Sequence, residues 1–205
     1  MPKVLKIYLL RHAQPDIKNN TVPIKNCGIL TPSDQTLSNL VQQLPINSQL
    51  IHSPMKRAIE TLICLRKLGL KSSSIEENNG FSEQDLGILE GATYEDAWKN
   101  LSMLKPHNWA FFSSDYTPKG GESFSQLSER VVLSLNKILK ESSGRPMTII
   151  CHSGVIRSII GHALNLDHDV MLSLQFDHLS LSYIEYQKEE NAGGHFQIGF
   201  LNRLY

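Results

Sequence analysis

Cysteine is scarce and unpaired in this chain. Cys27, Cys64 and Cys151 are an odd number at wide spacings, with no CxxC and no paired-histidine motif beside them. That excludes a disulfide framework and a structural zinc site. A surplus of either charge is also missing: Lys plus Arg and Asp plus Glu are 20 each. No global field draws the protein to nucleic acid or to an anionic membrane, so any basic site must be local. No apolar run approaches the roughly 18 residues that a membrane span needs. Met1 to Lys6 is too short to be a cationic leader before an apolar core. These absences lead us to expect a soluble, cytoplasmic protein with neither nucleic-acid nor membrane partners. Repeats, low-complexity tracts and linkers are lacking too. What is present is 205 residues, 40% of them hydrophobic. This is enough to bury a core as one domain over 1–205, with room for an inserted subdomain.

The stretch that organises the rest is Ile7 to Asp16, IYLLRHAQPD. Leu5 and Ile7 to Leu10 favour a buried strand, and Pro15 marks where regular pairing ends. Arg11 and His12 therefore stand where a strand leaves its sheet. In an open α/β sheet that carboxyl edge is where ligands bind. A guanidinium fork can hold phosphate oxygens, and an imidazole can attack phosphorus.

Residues 19–29 read as a loop. A helix is expected from Thr31, Pro32 and Ser33 up to Pro45, with Leu37, Leu40, Val41 and Leu44 as its apolar stripe. A short strand, Gln49 to His52, follows. Ser53 and Pro54 fit the cap and first position of a second helix running to about Leu68 before Gly69. Arg57 then lies near a helix start, where free backbone donors and a partial positive charge favour an anion. From Ile75 to Gly91 we expect a short extended segment, a turn and an acidic loop whose candidate acids are Glu83, Asp85 and Glu90. A carboxyl that works as an acid near neutral pH has to be partly desolvated, and Glu83 follows the apolar Phe81. Thr93 to Asn100 has helical character. Leu101 to Gly121 has no clean period and reads as a lid or insert, bounded at about 84–121. Trp98, Trp109, Phe111, Phe112 and Tyr116 serve either to pack that insert or to wall a pocket for an aromatic leaving group, and packing is the favoured use.

Gly121, Glu122 and Ser123 open a long amphipathic helix that stops at Ser142 to Gly144. Met147 to Cys151 is a short β-branched run ending in His152, Ser153 and Gly154, and the following VIRSIIGHAL is helical in pattern. A strand that ends in a histidine has thus appeared a second time. Leu179 to Gln187 and His195 to Leu201 alternate as strands at the sheet edge.

RHAQP, SPMKRAIET, SEQDLGILEG, GGES and IICHSGVIR together resemble the histidine phosphatase superfamily, the phosphoglycerate mutase-like fold. The similarity is strongest to its small phosphatase branch, which includes α-ribazole phosphatase. Five blocks occur in family order. The resemblance implies an α/β fold with a doubly wound, mostly parallel sheet and a site at the strands' carboxyl ends. It also implies roles: His12 as the nucleophile, Arg11 and Arg57 as phosphate holders, His152 as the second histidine, Glu83 as the acid, and Ser153 as a donor to phosphate through its backbone N–H and hydroxyl. No metal and no other cofactor is implied. The activity expected is hydrolysis of a small-molecule phosphate ester. A cofactor-dependent mutase and a non-catalytic phospho-ligand binder are the alternatives.

Departures from the pattern carry their own expectations. Ala13 stands where a glycine is usual, and Lys18 where the mutases carry an asparagine. Pro15 brings neither a hydroxyl nor a backbone donor, which thins that side of the pocket. Ser153 also replaces a glycine, so a strained backbone is expected there if the glycine conformation is required. His162, His168, His178 and His195 match no family role and are read as surface or structural residues. A homodimer through an edge strand is left open.

Overall fold

The structure, a computed structural model, describes residues 4–18, 20–101, 107–189 and 192–205. Its core follows from strand periodicity. In β1 (Val4–Arg11), Leu5, Ile7 and Leu9 enter one apolar cluster while Tyr8 and Leu10 face another. In β2 (Ser48–His52), Ile51 and Leu50 divide in the same way, as do Ile149 and Ile150 in β4 (Met147–Cys151). Strands buried on both faces read as continuous apolar runs, which is why IYLL and MTIIC show no polar alternation.

The other strands are β3 (Ser72–Glu77), β5 (Leu181–Gln187) and β6 (Phe196–Arg203). The six strands form one sheet in the order β3-β2-β4-β1-β5-β6. β1, β2, β3 and β4 run parallel, and β5 and β6 add antiparallel pairs. On one face lie α1 (Asp34–Gln43) and α2 (Lys56–Lys67). On the other lie α4 (Phe124–Glu141), α5 (Ser153–Ala163) and α6 (His168–Leu172). Each fully buried Leu or Ile in these layers is worth about 1.5–3 kcal/mol relative to exposure. The remaining helix, α3 (Tyr94–Leu101), packs in a small separate cluster of Val22, Leu89, Ala97 and Phe112. The mixed, mostly parallel α/β architecture is the one expected from the sequence.

Register is what places the site. Arg11 pairs with Cys151, and His52 with Ile150. His12, Ser53 and His152 are therefore the first residues beyond three neighbouring strand ends. β5 runs antiparallel to β1, with Leu10 opposite Leu181, so the beginning of β5 reaches the same edge.

Several local expectations are corrected. α2 begins at Lys56, with Met55 rather than Ser53 in the cap position, because the Ser53 hydroxyl is engaged elsewhere. β3 starts at Ser72, three polar residues ahead of Ile75, since an edge strand exposed to solvent needs no apolar pattern. β5 is not an edge strand but sits between β1 and β6. The loop at 101–121 lies partly outside the described residues. Among the described residues no helix is long and apolar enough to cross a membrane.

Candidate active site

His12 leaves β1 with its backbone N–H still bonded to Cys151 O at 2.9 Å, which extends the parallel ladder by one residue. Its Nδ1 lies 2.6 Å from Ala13 O, and a carbonyl only accepts, so Nδ1 carries the proton. Nε2 is then the lone-pair nitrogen, and Arg57 Nε donates to it at 3.2 Å. Burial and the neighbouring Arg57 cation hold His12 well below its ordinary value of 6.5, so the ring is neutral at neutral pH. The geometry thus presents an unprotonated imidazole nitrogen beside a guanidinium.

His152 leaves β4 at the same level, fully buried, with its ring centroid 4.9 Å from that of His12. Its Nε2 is 2.7 Å from Ser53 Oγ. That hydroxyl also accepts from Met55 N, and both its proton and its second lone pair can serve His152 Nε2, so the contact fits either tautomer of the ring. Nδ1 is buried without a partner among the described residues. Burial again holds the ring well below 6.5, with the nearby His12 adding to the effect.

Arginines surround the pair. Arg11 Nη1 donates to Phe176 O at 2.6 Å, while its Nε is buried and unpartnered among the described residues. Arg57, 4% exposed, anchors Nη1 on Lys25 O at 3.1 Å. Arg157, one turn into α5, donates from Nε to Leu174 O at 2.7 Å. Burial lowers Arg11 and Arg157 from the ordinary guanidinium value, and the Glu83 carboxylate opposes that shift in both.

Glu83 lies across the cavity on the loop after the short 3₁₀ turn Asn79–Phe81. Its Oε2 accepts from Gly154 N at 3.2 Å and from Ser153 Oγ at 3.3 Å, at the start of α5. Arg130 of α4 holds this loop by donating to the carbonyls of Gly80, Ser82 and Glu83 and to the Glu122 carboxylate. Asp85 instead pairs with Lys25 Nζ at 2.7 Å, and Glu90 accepts from Lys25 N. Neither lines the cavity that Glu83 lines.

That cavity, about 530 Å³, is lined at its polar end by Arg11, His12, Arg57, Glu83, Ser153 and Arg157. His152, its ring packed against that of His12, is not itself on the wall. Lys18 and Pro15 line it as well, and Leu86, Tyr94, Phe111 and Phe124 form the apolar side. Phe111 stacks on Tyr94 with centroids 5.3 Å apart, so it both packs the insert and walls the pocket, whereas Phe112 packs on Tyr116. Trp98 and Trp109 are largely exposed.

Three expectations change. Neither Ala13 nor Ser153 has positive φ, so the glycines they replace are not required and no strain arises. The Ser153 hydroxyl is turned to Glu83. The glycine that does matter is Gly154, where a Cβ would come within 2.3 Å of Glu83 Oε1. His178, read from the sequence as surface or structural, lines the cavity with its ring 5.5 Å from that of His12. Sequence reasoning also passed over Ser53 as a histidine partner, Arg130 and Arg157. The blocks SPMKR and IICHSGVIR contained Ser53 and Arg157, but Ser53 was read as a helix cap and Arg157 was given no role.

Fold and geometry together define a doubly wound α/β protein with an imidazole and guanidinium pocket at the carboxyl ends of its parallel strands. Residues 7–197 match the histidine phosphatase superfamily (branch 1), and the chain belongs to that family. It is 32% identical over 121 residues to the phosphoglycerate mutase-like protein 4 of Arabidopsis thaliana, covering 57% of this chain and 50% of that one. It is 34% identical over 111 residues to the metal-independent phosphoserine phosphatase of the same plant, covering 52% and 44%. The chain spans about half the length of these curated relatives. Among solved structures, a putative α-ribazole-5′-phosphate phosphatase from Escherichia coli superposes with a TM-score of 0.74 at 16% identity, over 97% of this chain and 96% of that one.

Proposed function

We propose that this protein hydrolyses a phosphate monoester of a small metabolite through a phosphohistidine on His12, within a 1–205 domain carrying an insert at about 84–121, of which Leu86, Tyr94 and Phe111 line the cavity. The observation that carries this reading is the His12 tautomer. Nδ1–H is tied to Ala13 O, and a neutral Nε2 lone pair is left beside Arg57. Nε2 attacks phosphorus, the ester P–O bond breaks, and the leaving alcohol oxygen takes a proton from Glu83. In the second half Glu83 removes a proton from water, whose oxygen attacks phosphorus. The P–N bond then breaks, releasing orthophosphate and neutral His12.

Charge on the equatorial oxygens is met by Arg11 Nε, by the Arg57 guanidinium and by the His152 Nδ1–H. The phosphatase name of one Arabidopsis relative supports hydrolysis over transfer. The apolar side of the cavity, with Leu86, Tyr94 and Phe111, suits the carbon skeleton of the alcohol.

The test is phosphate release from an aryl phosphate ester, with and without EDTA, by the wild type and by His12→Ala. The expected result is activity that ignores EDTA and disappears in His12→Ala. Retained turnover in His12→Ala would remove the phosphohistidine from the reaction, and loss on adding EDTA would point to a metal-dependent path.

A further inference from the structure

The loop ahead of β5 brings a third imidazole to the cavity. His178 lies three residues before Leu181, and because β5 is antiparallel to β1 its start meets the carboxyl end of β1. The loop is latched there by the site's own residues. Arg11 Nη1 donates to Phe176 O at 2.6 Å, Arg157 Nε to Leu174 O at 2.7 Å, and Arg11 N to Ser180 O at 3.1 Å. Asp177 on the same loop is fixed by Asn202, whose Oδ1 accepts from Asp177 N at 2.7 Å and whose Nδ2 donates to Asp177 Oδ2 at 2.9 Å.

Next to His178, Leu179 has φ +59, a left-handed conformation that a branched side chain rarely adopts. Its N–H is held by Arg11 O and His12 O at 3.2 and 3.4 Å, so the strain is imposed by the strand end that carries the nucleophile. The result is a ring centroid 5.5 Å from that of His12, with His152 at 4.9 Å from His12. His178 lines the cavity, and its Nε2 is buried with no partner among the described residues.

A buried polar nitrogen without a protein partner, beside a nucleophile, is a donor waiting for a ligand atom. We propose that His178 is a phosphoryl-binding residue, its Nε2–H donating to a non-bridging oxygen of the group held at His12. This places a third histidine in the machinery and rests on the phosphoryl-site reading above. The groups that face His178 are Arg11, Arg57 and the His12 ring from the site and Asp177 from its own loop; burial and Arg11 hold it at about 4, so the ligand-free ring is neutral with a single N–H to give.

Three measurements decide it: ring ¹⁵N NMR of the wild type titrated with inorganic phosphate, phosphate affinity, and kcat/KM on an aryl phosphate for His178→Ala and His178→Gln. A glutamine amide can reach where Nε2 stands and still donate. We expect phosphate to shift the His178 Nε2 resonance. His178→Ala should lose about 10- to 100-fold in phosphate affinity and kcat/KM, and His178→Gln should recover most of both at an unchanged unfolding midpoint. An unmoved resonance, a wild-type-like His178→Ala, or a folded His178→Gln as impaired as Ala overturns the assignment. Should His178→Ala not fold, the wild-type resonance decides alone. Wild-type protein that binds phosphate through His178 but hydrolyses nothing would defeat the hydrolase reading and leave this one standing. Hydrolysis with an unmoved His178 would do the reverse.

Discussion

The ends of β1 and β4 look alike and behave as opposites. Each is an apolar parallel strand delivering a buried histidine, and Arg11 sits beside Cys151 in register. His12 has Nδ1 tied to its own loop carbonyl and offers Nε2, while His152 has Nε2 tied to Ser53 and offers Nδ1. One ring therefore turns its lone-pair Nε2 to Arg57, and the other keeps a buried Nδ1 without a partner among the described residues. The same residue on the same device is left with a different free nitrogen according to which one a neighbour occupies. A strand-end histidine in such a sheet has no role until its hydrogen-bond partner is known.

The largest test of that contrast is to delete each ring. His12→Ala should lower kcat by at least about 10³-fold, since the attacking atom is gone. His152→Ala removes one donor to developing charge, so the drop should be about 10²-fold. Equal losses in single-turnover phosphate release would erase the distinction. Next, Gly154→Ala forces the Glu83 carboxylate out of its seat against α5. A fall of about 10²-fold in kcat, largest for esters with poor leaving groups, is the expected signature. Should Gly154→Ala hydrolyse alkyl and aryl phosphates as the wild type does, Glu83 is not the acid.

Protonation offers a third test because both rings are held neutral by burial. In the native state His12 and His152 lie well below 6.5 and His178 at about 4. In the unfolded chain they titrate near their ordinary value. Between that value and the native ones the unfolded state binds more protons, so stability is full above about pH 6.5 and declines as the pH falls toward 4. The slope is about 1.4 kcal/mol per pH unit for each histidine involved. Urea midpoints at pH 7.5 and 5.5 check this, and a flat profile would mean the rings are not kept neutral. The smallest expected effect is on the tautomer itself. Ser53→Ala frees His152 Nε2 and should reduce kcat about tenfold, the equivalent of one net hydrogen bond. Ring ¹⁵N shifts of His152 would report which nitrogen carries the proton.

Much of this was readable in the chain. The apolar runs IYLL and MTIIC named two buried strands that each end in a histidine, with Arg11 beside the first, and the resemblance carried by RHAQP, SPMKRAIET and IICHSGVIR implied the doubly wound sheet and one site holding Arg11, His12, Arg57 and His152. Glu83 stood apart from Asp85 and Glu90 by motif position, and in the structure it alone of the three lines the cavity. His178 was missed because a loop without periodicity gives no direction, and only the antiparallel pairing of β5 brings it round to β1. Ser53 was misjudged because a serine before Pro-Met fits a helix cap locally, while its better partner lies 99 residues away.

The division has a physical basis. Burial pattern and strand ends are written in local residue order, since side chains alternate along a strand and follow the helical turn whatever the distant chain does. By itself the sequence therefore determined the layers of this fold, the edge at which the strands deliver Arg11, His12 and His152, and the residue types gathered there. Tautomers, the seat of Glu83 against Gly154 and the approach of His178 depend on atoms from separate elements meeting within hydrogen-bond distance, and only the tertiary structure decided those.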